Sequence, residues 1–166
     1  MSDPELAGRR IVVTGGASGI GLVTVEHLVS RGAAVVALDR NSNVAGIAAA
    51  VGATGLIANV VSSIELGAAM DAAAQALGGL DGVVANAGVG NLKPLEAYTD
   101  AEFDRIVDVN LKGSFLTLRE AHRHLVAQAS ASVVLVSSVT GHRPTLGEGP
   151  YSAAKAGVIA LARSAA

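Results

Sequence analysis

The chain is expected to fold as an α/β domain built on a parallel, doubly wound sheet, and three observations predict this. Apolar runs of strand length alternate five times with longer segments that read as helices. A turn carrying three spaced glycines joins the first apolar run to the first helical segment. Hydrophobic residues reach 51% while aromatics make up 2%. The core must therefore be assembled from Val, Ile, Leu and Ala, which suits helix layers packed closely on a buried parallel sheet.

Taken in order, the first strand is expected over residues 10–14, in the short apolar run Arg10-Ile11-Val12-Val13. Gly15, Gly19 and Gly21 follow, and a helix over 19–31 shows Leu22, Val25, Leu28 and Val29 on one stripe. Strand, spaced glycines and helix are the context of a dinucleotide-binding turn. Gly15 permits a sharp turn, Gly19 permits backbone approach to a pyrophosphate, and Gly21 permits close packing of helix and strand. Free N–H groups at the helix start, around Ser18 and Ile20, would meet the phosphates. A second strand over 33–39 ends at Asp39, where a carboxylate can accept hydrogen bonds from ribose hydroxyls. That charge repels a 2′-phosphate, which favours NAD over NADP, although the adjacent Arg40 could stack on adenine or neutralise a phosphate. Further strands are expected over 55–60, 80–86 and 132–138, with helices over 42–51, 62–78 and 99–129. Thr99-Asp100-Ala101-Glu102 reads as a capping box opening the long helix, whose apolar face is traced by Phe103, Ile106, Val107, Leu111, Phe115 and Leu118. Asn110 falls on that face, where an amide is costly unless hydrogen-bonded. A last helix opens near Pro150. The strand order 3-2-1-4-5 would set Thr14, Asp39, Asn59, Asn86 and Ser138 together at the carboxyl ends of the strands, where such sheets bind ligands.

On that last helix, Tyr151 and Lys155 are four residues apart and share a face. An ammonium beside a phenol favours the phenolate, and the helix N-terminus adds positive partial charge. Ser138, thirteen residues upstream of Tyr151, could hold a substrate oxygen while the tyrosine exchanges its proton.

The joint pattern Thr14-Gly15-x-x-x-Gly19-x-Gly21, Asn86-Ala87-Gly88, Asn110, Ser138 and Tyr151-x-x-x-Lys155 resembles the short-chain dehydrogenase/reductase family, with every piece in family order. The resemblance implies a Rossmann-type NAD-binding domain and an alcohol/ketone substrate. It implies that Ser138 positions the reacting oxygen and that Tyr151 is the general acid/base. Lys155 would lower the tyrosine pKa and hold the nicotinamide ribose, and Asn110 would hold a relay water. Asn86, Ala87 and Gly88 would support the sheet and line the adenine-ribose side, together with Val60. Two positions depart from the family pattern. Ala85 stands where many relatives have a second asparagine, and Asn59 stands where they usually carry an aspartate facing the adenine amino group. Relatives continue with at least two more strands and the helices that cover the substrate, so the 166 residues are expected to be one dinucleotide-binding domain lacking that region. The strand at 132–136 would then be a hydrophobic edge that promotes association, and the 166-residue chain would have low or no turnover. In relatives the helices near 104–129 and after 150 form dimer interfaces, often doubled into a tetramer.

Composition narrows the alternatives. Net charge is −2, and no Lys/Arg cluster supports nucleic-acid or acidic-membrane binding. Cys is absent, which removes thiol chemistry and suits a reducing cytoplasm. No apolar run reaches membrane-spanning length. His122 and His124 are two apart on a helix and diverge, so no metal site is expected. The loop 139–150 would line the substrate pocket, with Arg143 either binding a substrate carboxylate or simply solvated, and Pro144 and Gly147 marking turns. The competing function is a nucleotide-binding or assembly module without turnover.

Overall fold

The computed structural model describes residues 5–166. Five parallel strands form one sheet in the order β3-β2-β1-β4-β5, as the alternation predicts. The strands are β1 (Arg10–Thr14), β2 (Ala34–Asp39), β3 (Thr54–Ile57), β4 (Gly82–Ala85) and β5 (Ser132–Leu135). The helices are α1 (Gly19–Ser30), α2 (Val44–Ala50), α3 (Ser63–Leu77), α4 (Asp100–Val107), α5 (Gly113–Leu125) and α6 (Gly149–Ser164).

The strand pleat explains the two helix layers. Ile11 and Val13 face one side with Val35 and Ala37, packing on Val25 of α1 and on Val44 and Ala48 of α2. Val12 faces the other side with Val36, Leu38 and Val83, packing on Leu66 and Met70 of α3 and Leu116 of α5. Both faces of the central strand are thereby buried, which is why its sequence is a continuous apolar run and not an alternating one. β5 lies at the edge of the sheet, and its Val134 is half exposed.

Three expectations need correction. β3, β4 and β5 stop earlier than residues 60, 86 and 138, because the chain leaves the sheet to run across its carboxyl edge. The segment 99–129 is not one regular helix: the capping box at Thr99 and Glu102 is present, but residues Asp108–Lys112 form a π-helical turn between α4 and α5. The extra residue of such a turn rotates the phase of everything after it. After the turn Leu116, Ala121 and Leu125 make the buried face and Phe115 is exposed; before it Ile106 is buried as expected, whereas Phe103 is exposed. Pro150 does stand in the first turn of α6, as expected.

Candidate active site

The glycine turn is held by backbone contacts. Gly15 (φ +68°) has its N–H on the Leu38 carbonyl at 2.8 Å, which ties the turn to β2. The neighbouring Thr14 is fully buried, and its hydroxyl oxygen accepts the N–H groups of Asn86 (3.1 Å) and Ala87 (3.2 Å). In return the Asn86 side-chain amide donates to the carbonyls of Thr14 (3.0 Å) and Gly15 (3.3 Å). Asn86 thus stitches β4 to the turn after β1. A Cβ on Gly21 would overlap the Gly15 carbonyl oxygen, whereas a Cβ on Gly19 (φ +52°) would meet nothing within 4 Å. Gly21 is required by internal packing against the turn, while Gly19 borders open space of the kind a pyrophosphate would fill.

Beside this turn lies a small pocket of about 210 Å³, lined on one side by Asp39, Arg40, Asn59 and Val60, and on the other by Ala87 and Gly88. Asp39 is fixed there by two backbone amides, from Ala17 (3.1 Å) and Asn41 (3.0 Å). The Asn59 side-chain oxygen accepts from the Val61 N–H at 3.3 Å, so its carbonyl supports the local turn.

The larger cleft, about 810 Å³, brings Gly15, Ser18, Gly19, Ile20 and Gly21 to one side. Ser138, Tyr151 and Lys155 lie on the other. Ser138 sits three residues past β5, and its Oγ accepts from the backbone N–H (3.3 Å) and hydroxyl (3.1 Å) of Thr140, leaving its own proton to donate into the cleft. Lys155 is almost entirely buried; its Nζ donates to the Val136 carbonyl at 2.8 Å and lies 5.7 Å from the Tyr151 ring centroid. Burial pushes its pKa down, because desolvation penalises the ammonium.

Asn110 lies beneath the cleft, in the π-helical turn, with no exposed surface. Its Nδ2 donates to Val89 O (2.6 Å) and to Ile106 O (2.9 Å), so the amide does bridge two backbone segments. Its Oδ1 is buried without a partner. A Cβ placed on Gly88 would lie 2.8 Å from that oxygen and 3.7 Å from Lys155 Nζ, so the orphan acceptor and the buried ammonium face the same small space.

Several lining residues were not singled out by sequence. Val89, Gly90, Asn91 and Leu92 form a wall after β4, and Ser137 donates to the Lys155 carbonyl at 2.8 Å. The only signal for them was position, immediately past a strand's carboxyl end. Tyr98 carried none. Its hydroxyl lies 2.7 Å from Asn91 O and 2.8 Å from Gly147 O, clasping that wall to the loop before α6. In that loop Gly147 adopts φ +85°, Glu148 lines the cleft, and His142 and Arg143 are exposed outside it.

A model of the short chain dehydrogenase family matches residues 9–166. The chain belongs to that family. Among its relatives, cis-4-hydroxycyclohexanecarboxylate dehydrogenase of Sinomonas cyclohexanicum is 42% identical, over 96% of this chain and 67% of the relative. Levodione reductase of Leifsonia aquatica is 35% identical, over 95% of this chain and 62% of its own. A crystal structure of levodione reductase superposes with a TM-score of 0.90 at 34% identity, covering 96% of this chain and 65% of that one. NAD+-bound xylitol dehydrogenase gives 0.93 at 27% identity, covering 98% and 65%. This short-chain dehydrogenase sequence therefore spans about two thirds of the length of the relatives it matches. Among its described residues no helix is long and apolar enough to cross a membrane, and no group of three His, Cys, Asp or Glu side chains could hold a metal.

Proposed function

We propose that these residues form the nucleotide-binding and catalytic part of an oxidoreductase that interconverts an alcohol and a ketone with NAD, acting in the cytoplasm on a small molecule. The observation that carries this reading is the sharing of one cleft by the glycine turn, the Ser138 hydroxyl, the Tyr151 phenol and the Lys155 ammonium.

The residues suit a bound dinucleotide. Open space at Gly19 meets the N-terminus of α1, where helix N–H groups favour phosphate. The Asp39 carboxylate, held at the rim of the smaller pocket, would accept ribose hydroxyls and disfavour a 2′-phosphate, which supports NAD over NADP. Asn59, Val60, Ala87 and Gly88 would enclose the adenine-ribose side, with Arg40 at its edge. When bound, the nicotinamide supplies or accepts the hydride. Ser138 donates its free proton to the substrate oxygen. Tyr151 exchanges the reacting proton with the same oxygen as general acid/base. Lys155 holds positive charge 5.7 Å from the phenol ring and has two N–H groups left for ribose or water. A water between Lys155 and the unpartnered Asn110 Oδ1 would accept from one and donate to the other, extending the proton path. Such a water would also satisfy an oxygen whose isolation costs about 1–3 kcal/mol.

The relatives' names cover a ring carboxylate, levodione and xylitol, so the proposal stops at the alcohol/ketone class. Exposed Phe115 lines an apolar groove with Leu118 and Leu161 between α5 and α6, which supports a homodimer or homotetramer.

The test is Tyr151→Phe, read by NADH fluorescence for binding and by single-turnover NADH formation from NAD and secondary alcohols at excess protein. NADH binding should persist while the chemical step slows by about 10²–10⁴-fold. NADH bound tightly by both forms, with no NADH formed by either, would favour a nucleotide-binding or assembly module instead.

A further inference from the structure

We propose that Glu148 is a charge filter on the substrate side of the cleft: it disfavours substrates that carry a carboxylate away from the reacting carbon and favours uncharged or ammonium-bearing ones. The inference rests on the oxidoreductase reading above and adds a substrate class to it.

Glu148 lines the same cleft as Ser138 and Tyr151, immediately before α6 and half-buried. Its side chain does not cap the helix, although it occupies the N-cap position. Among the described residues its carboxylate enters no ion pair and no hydrogen bond, in contrast to Glu102, which is tied to both Lys93 and Thr99. The nearest cations of the cleft and its loop are committed or turned away. Lys155, the one lysine or arginine lining the cleft among the described residues, is 3% exposed and donates to Val136 O. Arg143 and His142, on the same loop, are exposed and lie outside the cleft lining.

The backbone that carries this carboxylate is held in place. The Tyr98 hydroxyl and the Lys93 N–H both meet the carbonyl of the preceding Gly147, at 2.8 and 3.0 Å, so the backbone carrying Glu148 is pinned to the opposite wall. The lining also includes the exposed apolar side chains of Leu92 and Val139. A substrate body can therefore rest on apolar surface with one anionic acceptor beside it. A hydroxyl, amide or ammonium group can donate to that acceptor. A second carboxylate would meet like charge, with no counter-ion among the described residues of a partly desolvated cleft, which is a repulsive element of the kind that sets specificity.

The experiment compares three probes of one shape: 4-hydroxycyclohexanecarboxylate, its carboxamide, and 4-(aminomethyl)cyclohexanol. Each is tested with NAD by single-turnover NADH formation in the wild type, Glu148→Gln and Glu148→Lys, with NADH fluorescence confirming a folded nucleotide end. In the wild type the carboxamide should exceed the carboxylate by about tenfold or more in apparent affinity, with the ammonium at least equal to the carboxamide. E148Q should narrow the carboxamide-to-carboxylate ratio toward one, and E148K should invert it. A wild type that prefers the carboxylate, or a ratio that neither substitution moves, overturns the filter while the oxidoreductase reading stands. If wild-type protein binds NADH but converts neither the probes nor any other secondary alcohol, the oxidoreductase reading falls and the filter falls with it.

Discussion

The two ends of the sheet are built from the same strands and treat their polar groups in opposite ways. At the amino ends, Arg10 is locked to Asp81 by contacts at 2.8 Å and to Gln128 at 3.0 Å, and also donates to Gly78 O. Arg9 donates to Ser130 O and Asp81 O. Three strands are thereby tied together at their starts, with Arg10 paired to Asp81. At the carboxyl ends, Asn110 Oδ1 has no partner, Lys155 uses one of its three N–H groups, and the Ser138 proton is free. Polar groups left without partners in a native structure call for an explanation; of the two buried orphans among the described residues, Asn110 Oδ1 lies beneath the cleft and Ser152 Oγ lies outside its lining. One end has its polar groups paired, and the other leaves several of them available.

The contrast breaks most sharply within the glycine turn, where both kinds of position sit two residues apart. Gly21→Ala forces a methyl group into the Gly15 carbonyl oxygen, a backbone contact that cannot yield without displacing β1 from α1. We expect a stability loss of about 3 kcal/mol or more and loss of NADH binding. Gly19→Ala meets open space and carries only the cost of a left-handed residue, about 1–2 kcal/mol. Its NADH affinity should fall much further than its stability does. Thermal melts and NADH titration of both variants check the ranking; similar melting temperatures would mean that the turn is not braced as described.

Thr14→Val comes next. It keeps the volume of a fully buried side chain and leaves the N–H groups of Asn86 and Ala87 without their acceptor. The cost should be about 2 kcal/mol. For a domain of this size that corresponds to a fall in melting temperature of roughly 4–8 °C. An unchanged melting temperature would mean that those two amides find another acceptor.

Position along the chain made much of this legible, and tertiary closure hid the rest. The alternation of apolar runs with helical segments carried the strand order, and the residues after each run marked the cleft rim, because doubly wound sheets place those residues together. The capping box at Thr99 was readable because it is local. The π-helical turn was not. It depends on Asn110 reaching the Val89 carbonyl from a distant loop, and no local propensity encodes that contact. The same turn shifts the apolar face that follows it and leaves Phe115 exposed. Tyr98 was overlooked for a related reason: its partner at Gly147 is 49 residues away, and a lone tyrosine in a polar stretch carries no signature of a clasp.

The smallest effect is expected at the stability end, and it should appear only in acid. Asp81 accepts hydrogen bonds from the Arg10 side chain and backbone, which lower its pKa from 3.8 to about 2, against a weaker opposing effect of burial. A carboxylate whose folded-state value is depressed stabilises the fold above its unfolded value, and that contribution disappears as pH falls through the folded one. The window is therefore about pH 4 down to 2. Asp81→Asn cannot titrate, so its melting temperature should start slightly below that of the wild type at pH 7 and converge with it as the pH drops. Glu102, lowered to about 2 chiefly by Lys93, titrates in the same range in both proteins and cancels from the difference. NADH affinity at pH 7 should be the same with either residue at 81, since the pair lies at the opposite end of the strands from the cleft. A change in affinity would mean that the two ends communicate through β1 and β4. Melting curves that stay parallel down to pH 2 would mean that Arg10 does not hold the carboxylate in its charged form.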